Sequence, residues 1–184
     1  MSVSPKGSAY RVITTIVLLA LLFVLAVILI LRSFSATLFS GGNLPNDTFL
    51  STSSDTVYVV PVNLYTSNRL PITIQQIQVT DVDTNTELSP DIYVADLEQD
   101  SLLETTGYTT VSEFQTSYSN RNSPLVSAEN GFLPSENQRF QSKSICIFLL
   151  FDEFPPSEHS ISVTCQYKLF GMISMTCDTL LRRA

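Results

Sequence analysis

The sequence contains few of the residues on which enzyme catalysis commonly depends. Its only histidine is His159, in a Pro-Pro-Ser-Glu-His segment that we expect to form an exposed turn. It has no glycine-rich phosphate loop, no nucleophile elbow and no paired-cysteine metal motif. The 17 Asp and Glu residues offer many carboxylate pairs, but no spacing selects one pair over another. We therefore predict that the protein is not an enzyme and has no catalytic residue, cofactor, resident metal or small-molecule substrate.

Basic residues are scarce beyond the N-terminal region. From Ser33 onward, seven Lys and Arg stand against all 17 Asp and Glu, a net charge of −10. Nucleic-acid binding needs clustered bases, so we predict no nucleic-acid partner. Because anionic headgroups would repel this domain, we expect it to stand off a membrane and to meet neutral or basic partners. Residues 70–120 contain nine acids and no base, which we interpret as a solvated face, with a docking surface as the alternative.

The segment from Asp81 to Glu87 places carboxylates or amides at alternate positions, as at the start of a calcium-binding loop. An EF-hand loop needs glycine at its sixth position and glutamate at its twelfth, where this chain has Thr86 and Ile92. We therefore interpret the segment as the polar end of a strand and the turn that follows it.

Residues 12–31 are 20 residues without a charge, with Thr14 and Thr15 as the only polar side chains. As a helix they would extend about 30 Å, the thickness of the hydrocarbon core of a bilayer. In lipid the backbone must satisfy its own hydrogen bonds, so we expect this run to be helical. A cleaved signal peptide has a shorter apolar region, and a soluble core helix rarely lacks charge over this length. We therefore predict a membrane anchor, whose side chains include Val12, Leu18, Leu22, Phe23, Leu25, Ile28 and Leu31.

Basic and aromatic residues flank this run. Lys6, Tyr10 and Arg11 precede it, and Arg32 follows it. Such residues are favoured at the membrane–water interface, and we assign these four to it. Because basic residues stay on the cytoplasmic side, we predict a single-pass membrane protein with a cytoplasmic N-terminus and an extracytoplasmic domain.

The composition changes along the chain predict four segments. They are an N-terminal tail (1–11), a transmembrane helix and helical stalk (12–39), a linker (40–55) and a β-sandwich domain (56–184). A proline and a glycine make the tail a poor helix before Ala9. Gly41-Gly42 should end the helix. Asn46-Asp47-Thr48 in the linker fits the N-glycosylation pattern, which also arises often by chance.

From Thr56 the apolar residues recur at every second position, which is the period of a β-strand. Pro61 in the first strand argues for an edge or a bulge. In the next strand the apolar positions change phase near Gln75 and Gln76, which predicts a β-bulge.

The rest of the domain also reads as β-structure. Residues 145–151 form an apolar run that is too short to span a membrane and predicts a strand covered on both faces. Residues 99–142 should contain irregular strands near 108–116 and 138–142. We predict a mainly β fold with one N-terminal transmembrane helix and an antiparallel, immunoglobulin-like β-sandwich of about seven strands.

The last two strands form the best-defined hairpin. A three-residue turn at 170–172 pairs Leu169 with Ile173, Tyr167 with Met175 and Cys165 with Cys177. This register makes a disulfide between Cys165 and Cys177 geometrically possible if the two residues form a non-hydrogen-bonded pair. The alternatives are two buried small apolar side chains, or a bridge in which Cys146 takes one of these partners.

Two family resemblances follow from the layout. A helix leading directly into a β-domain is similar to type IV pilin-like subunits, and Pro5-Lys6-Gly7 before Ser8-Ala9-Tyr10 resembles a prepilin peptidase site. The fifth residue after such a cut is Val12, where bacterial pilins usually carry glutamate. An anchor followed by a sandwich that ends in Tyr167-Lys168-Leu169-Phe170-Gly171 and Thr176-Cys177-Asp178 resembles membrane-anchored late-embryogenesis-abundant-like domains. No functional residue is carried over from either family.

These features favour a structural role. We expect the helix to fix the protein in a lipid bilayer while the domain contacts other proteins of a larger assembly in a cell envelope, an organelle or a virion. A pilin-like subunit with its helix in a filament core is the second hypothesis. A membrane-anchored ligand-binding or enzymatic ectodomain is the third.

Overall fold

The structure is a computed structural model that describes residues 6–33, 35–40, 44, 55–66, 71–96, 107–119, 125–140, 144–153, 155–156 and 158–181. The chain divides into two compact units, residues 1–35 and 36–184. The first unit contains helix α1 (Lys6–Ser33). The second contains, in chain order, β1 (Ala36–Ser40), β2 (Thr56–Thr66), β3 (Ile72–Asp81), β4 (Thr86–Leu88), β5 (Asp91–Asp96), β6 (Gly107–Thr110), α2 (Val111–Ser119), β7 (Val126–Ala128), β8 (Arg139–Phe140), β9 (Ser144–Phe151), β10 (Ile161–Leu169) and β11 (Ile173–Leu181).

Within the described residues, the strands of the second unit form two antiparallel sheets. Sheet 1 has the order β1-β2-β9-β5-β7, and β6 pairs with β2 on the same edge as β1. Sheet 2 has the order β11-β10-β3-β4, and β8 pairs with β3 on the same edge as β4. The prediction of a mainly β chain with antiparallel strands after an apolar N-terminal helix is confirmed. The immunoglobulin-like arrangement stays a prediction.

Within the described part of the chain, α1 is the one helix long and apolar enough to cross a membrane. Its apolar window, Tyr10–Ile30, has 21 residues with a mean hydropathy of 3.2, and none of it is buried. The hydroxyls of Thr14 and Thr15 donate to the backbone carbonyls of Tyr10 and Arg11 at 2.8 and 2.9 Å. The hydroxyls of both threonines therefore have partners inside the helix.

Both ends of α1 differ from the prediction. The helix begins at Lys6, inside the predicted tail, because a proline immediately before a helix is compatible with its first turn. It ends at Ser33, so the helical stalk predicted as far as Phe39 is wrong. Strand β1 takes its place, since alternate residues Ala36 and Leu38 are buried against the core. Most of the predicted linker, including Asn46, lies outside the described residues.

The central strands of sheet 1 are buried on both faces. In β2 and β9 almost every side chain is buried. One face contributes to a core shared with sheet 2, and the other is covered by α2. This confirms the prediction that residues 145–151 form a strand covered on both sides. Since β2 has partners on both sides, the prediction that Pro61 marks an edge strand is wrong. Pro61 pairs with Phe148 of β9, and on its other side it lies between the segments of β2 that pair with β1 and with β6.

Helix α2 replaces most of the strand that we expected near 108–116. Its first turn is a capping box: Thr110 Oγ1 accepts the N–H of Glu113 at 3.2 Å, and Glu113 Oε2 accepts the N–H of Thr110 at 3.3 Å. Phe114 and Tyr118 are four residues apart, so they share a helix face. Their rings pack on Phe148 of β9, with centroids 5.2 and 4.9 Å away. The prediction was wrong because this capped, amphipathic turn outweighs the strand propensity of Thr, Val and Tyr.

The predicted bulge in β3 is confirmed. The register between β10 and β3 shifts so that Gln75 is an extra residue without a partner in β10. The bulge keeps Ile74 and Ile77 both facing the core.

Between β4 and β8, two N–H groups at the edge of β3 are satisfied by a segment that is not a strand and that includes Gly131 and Gln138. The N–H of Ile77 donates to the carbonyl of Gly131 at 2.8 Å, and the N–H of Ile74 donates to the carbonyl of Gln138 at 2.9 Å. A Cβ at position 131 would overlap the carbonyl oxygen of Ile77. Glycine is therefore needed for the close approach that satisfies this edge.

The predicted hairpin and its register are confirmed for all the pairs that we named. The turn is closed by the N–H of Met172, which donates to the carbonyl of Leu169 at 3.1 Å. Phe170 and Gly171 have φ values of 54° and 71°. The left-handed conformation is free of strain for glycine but costs Phe170 about 1–2 kcal/mol.

The packing of α2 on sheet 1 makes a stability prediction. We expect Phe114→Ala to lower the free energy of unfolding by about 3–5 kcal/mol, because it leaves a cavity between Phe148 and the helix. Urea unfolding of the full chain measures this loss. Phe132→Ala, at an exposed aromatic, is the matched control and should stay within about 0.5 kcal/mol of wild type. Equal losses in the two variants would contradict the packing of α2.

Candidate functional site at the acidic end

Among the described residues of the second unit, the charged side chains are unevenly distributed between the two ends. The acidic end holds the β3–β4 turn, the β4–β5 and β9–β10 connections and the start of the β7–β8 connection. Its carboxylates are those of Asp81, Asp83, Glu87, Asp91, Glu129, Asp152, Glu153 and Glu158. The hairpin end holds the start of β1 and the turn at residues 170–172. In the described part of this unit the Lys and Arg residues are Arg139 and Lys168, and both lie at the hairpin end.

A contact between Asp81 and His159 joins two connections at the acidic end. Asp81 occupies the last inward-facing position of β3, and its side chain is only 4% exposed. Its Oδ2 lies 2.7 Å from Nδ1 of His159, and its Oδ1 accepts the N–H groups of Asp83 and Thr84 at 3.0 and 3.3 Å. The expectation of an exposed His159 is wrong, because a buried carboxylate requires a partner and the imidazole supplies it.

Neighbouring backbone groups strengthen the same junction. Asp83 Oδ2 accepts the N–H of Ser160 at 2.7 Å. The N–H of Val82 donates to the carbonyl of Ser160 at 2.8 Å. The β3–β4 turn is therefore held against residues 159–160 by both side-chain and backbone hydrogen bonds.

These contacts shift the titration of both partners. The hydrogen bond with Asp81 raises the pKa of His159 above its ordinary value; burial opposes this rise, and the charges of Asp81, Asp83 and Glu158 add to it. Burial alone would raise the pKa of Asp81, but the hydrogen bonds from His159, Thr84 and Asp83 outweigh it, so this pKa is lowered. Both shifts favour the charged pair.

A cavity of about 500 Å³ opens next to this junction, where the β4 edge of sheet 2 meets the β7 edge of sheet 1. Its apolar wall contains Ile77, Val79, Leu88, Pro90 and Ile92, and its carboxylates are Glu87, Asp91 and Glu129. Among the described residues that line it there is no Lys or Arg. A second cavity of about 300 Å³ shares Leu88, Ser89 and Pro90 with the first and extends to Phe151, Asp152, Glu153, Pro155 and Pro156.

The three carboxylates that line this cavity suit a positively charged side chain. Lysine and arginine are the candidates. The ends of the two sheets bring these groups together, although Glu87 and Glu129 are far apart in sequence. The arrangement can therefore hold a basic side chain of a partner protein through charge.

The acidic turn itself matches our interpretation of residues 81–87. Strand β3 ends at Asp81 and β4 begins at Thr86, with a turn between them. The carboxylates of Asp81 and Asp83 accept hydrogen bonds from the protein, as described above. Within the described residues, no group of three or more His, Cys, Asp or Glu side chains could hold a metal ion.

The three cysteines lie in two separate places and are free thiols in this structure. Cys165 and Cys177 are cross-strand partners, and Sγ of Cys177 lies 3.8 Å from the carbonyl oxygen of Cys165. Cys146 faces α2 on the far side of sheet 1. It therefore lies on a different face from the other two, and their disulfide stays a prediction.

The predicted membrane residues all lie in α1. Side chains are described for Tyr10, Arg11 and the anchor residues Val12, Leu18, Leu22, Phe23, Leu25 and Ile28, and all of them are exposed. The side chains of Lys6, Leu31 and Arg32 lie outside the described set. Their assignment to a membrane stays a prediction.

Comparison with known proteins assigns no family. No family model and no curated protein matches the chain. Among solved structures, the chain is similar to the crystal structure of Spo0M, the sporulation control protein from Bacillus subtilis, with a TM-score of 0.32 and 11% sequence identity. The similarity covers 82% of this chain and 50% of that one, so the chain spans half the length of the structure that it matches.

The placement of the cysteines predicts the outcome of oxidation. Burial raises the pKa of the Cys146 thiol well above its ordinary value, which disfavours the reactive thiolate. We expect Cys165 to bridge Cys177 and Cys146 to stay reduced. Mass mapping of non-reduced peptides tests this. Three free thiols in oxidised protein would refute the bridge, and any bridge to Cys146 would contradict its placement behind sheet 1.

The Asp81–His159 contact predicts how stability depends on pH. A raised histidine pKa gives stability that is complete below the unfolded value of about 6.5 and is lost as the pH rises through the folded value. The lowered pKa of Asp81 gives stability that is present above about 3.9 and is lost as the pH falls through its folded value. The pair should therefore stabilise the fold most between these limits.

The variant His159→Asn separates the contribution of His159 to the pH dependence of stability from all others. Asparagine keeps a hydrogen-bond donor near Asp81 but does not titrate. Between about pH 5.5 and pH 8, wild type should lose more free energy of unfolding than this variant. Urea unfolding at each pH measures the difference. NMR titration reports the pKa directly, since His159 is the only histidine. Parallel stability curves, or a histidine pKa at or below its ordinary value, would contradict the contact.

Proposed function

We propose that this protein is a single-pass membrane-anchored assembly protein. In this proposal α1 fixes the chain in a lipid bilayer with its N-terminus in the cytoplasm. The two-sheet unit is an immunoglobulin-like β-sandwich on the other side of the membrane, where it contacts other proteins of an envelope, organelle or virion complex. The function is then to hold a protein-binding domain at a membrane.

Helix α1 is the observation that carries this proposal. Its window Tyr10–Ile30 has a mean hydropathy of 3.2, and its residues from Val12 onward carry no charge and are exposed. In water, so large an exposed apolar surface would be unfavourable, whereas a bilayer buries it completely. Arg11 and Arg32 fit at the two membrane surfaces.

The acidic end supplies the proposed protein contact. Its carboxylates lie in or beside four different connections, and the described Lys and Arg lie at the other end of the unit. A basic partner surface would be steered towards this end, and a Lys or Arg side chain would enter the 500 Å³ cavity between Glu87, Asp91 and Glu129. Such a contact weakens as salt is added.

The experiment is extraction of native membranes or particles in mild detergent, followed by sizing of the tagged full chain. We expect a defined complex with another protein that dissociates between about 0.1 and 0.5 M salt. Glu87→Lys combined with Asp91→Lys should remove it, because these substitutions place two positive charges at the cavity.

The matched control is Glu136→Lys with Asp178→Lys, which changes the net charge equally at exposed positions outside the cavity. It should retain the complex. Equal loss in both double variants would show that net charge, and not the cavity, carries the contact. A monodisperse monomer would contradict the proposed assembly role, and long filaments would favour the pilin-like alternative.

A further inference from the structure

The turn of the β10–β11 hairpin is apolar and exposed. Phe170 is 47% exposed and Met172 is 78% exposed. Phe170 also has a positive φ, which glycine would adopt without strain. A large aromatic side chain at such a position, beside an exposed methionine, points to a contact with an apolar environment outside the unit.

This turn lies at the end of the unit where the chain arrives from α1. The N–H of Ala36, the first residue of β1, donates to the hydroxyl of Tyr167 at 2.8 Å. Tyr167 lies in the last third of β10, shortly before the turn. Only residues 34 and 35 separate α1 from β1, so Ser33 and Ala36 are at most about 11 Å apart. A helix that ends at a membrane surface therefore delivers Ala36 close to that surface.

The described bases are close to the same turn. Lys168 pairs with Thr73, and Thr73 pairs with Arg139, so the three residues form one row across sheet 2. Each alternates with buried neighbours and therefore points away from the core. The acidic residues around the cavity lie at the opposite end of the strands. Asp96, which pairs with Ile145 in sheet 1, is an acid at the hairpin end. Around the turn itself, on sheet 2, the side chains named here are apolar and basic, the composition favoured at a lipid interface.

We propose that the hairpin end rests on the bilayer in which α1 is anchored, with Phe170 and Met172 among the lipid headgroups and Lys168 and Arg139 against lipid phosphates. This inference rests on the membrane anchoring proposed above. It replaces the expectation of a domain held clear of the membrane. That expectation depended on the net negative charge of the domain and on a helical stalk, whose place β1 takes.

Tryptophan fluorescence can test this contact because the chain contains no tryptophan. The full chain carrying Phe170→Trp is reconstituted in phosphatidylcholine vesicles with and without lipid brominated near the headgroup. Val82→Trp is the matched control, since Val82 is 49% exposed and lies in the β3–β4 turn at the acidic end. Tyr10→Trp reports insertion of α1.

We expect strong quenching for Tyr10→Trp and for Phe170→Trp, and little for Val82→Trp. Quenching at position 170 should exceed that at position 82 at least about twofold, because interfacial side chains enter roughly 5–10 Å into the headgroup boundary. Lys168→Glu with Arg139→Glu should reduce quenching at position 170 and leave position 10 unchanged. Met172→Trp is a second reporter that keeps Phe170, in case the first variant disturbs the turn.

The other outcomes overturn the inference in distinguishable ways. Quenching at position 10 but not at positions 170 and 172 would leave the anchor in place and refute contact of the hairpin end with lipid. Blue-shifted but unquenched emission at position 170 would show that protein, and not lipid, covers the turn. Equal quenching at positions 170 and 82 would refute an end-specific contact. Absence of quenching at position 10 would refute the membrane anchor together with this inference.

Discussion

The second unit depends on the pairing of β2 with β9, whose side chains are buried on both faces. A strand that is apolar on both sides cannot face water, so each side needs a cover. Sheet 2 covers one side, and the aromatic face of α2 covers the other. This requirement explains why a short capped helix lies in a polar region of the sequence. It also explains why Cys146 is isolated from the other thiols.

Among the described residues, the outer elements around this central pair place most of the carboxylates at one end of the strands and the two bases at the other. The connections that carry carboxylates meet at one end, where the Asp81–His159 contact and the cavity lie. The described bases and the exposed hairpin turn lie at the other end. A polarised unit of this kind has one end suited to a basic protein surface and one suited to a lipid interface, and together these fit the proposed role of a protein held at a membrane.

The sequence was enough to predict an element wherever the spacing of its own apolar residues determines the structure. The alternation on either side of Gly171 specified the hairpin register, and the phase change near Gln75 specified the bulge. The capping box formed by Thr110 and Glu113 could have predicted α2 from the sequence. The strand propensity of the neighbouring Thr, Val and Tyr residues favoured a strand instead. The prediction of a helix as far as Phe39 was wrong, because a short apolar segment after a helix can either continue the helix or pair as a strand. Only a partner strand decides between these, and β2 is that partner.

The sequence by itself determined the apolar helix, the β-rich unit after it and the pairing of the last two strands, because each depends on a period that neighbouring residues set. Tertiary structure decided the candidate site. Asp81 and His159 are brought together by strands that pair over a long sequence separation, and Glu87 and Glu129 reach one cavity from different sheets. The composition gives the number of charged residues, whereas the order and direction of the strands determine at which end of the unit the described charges lie.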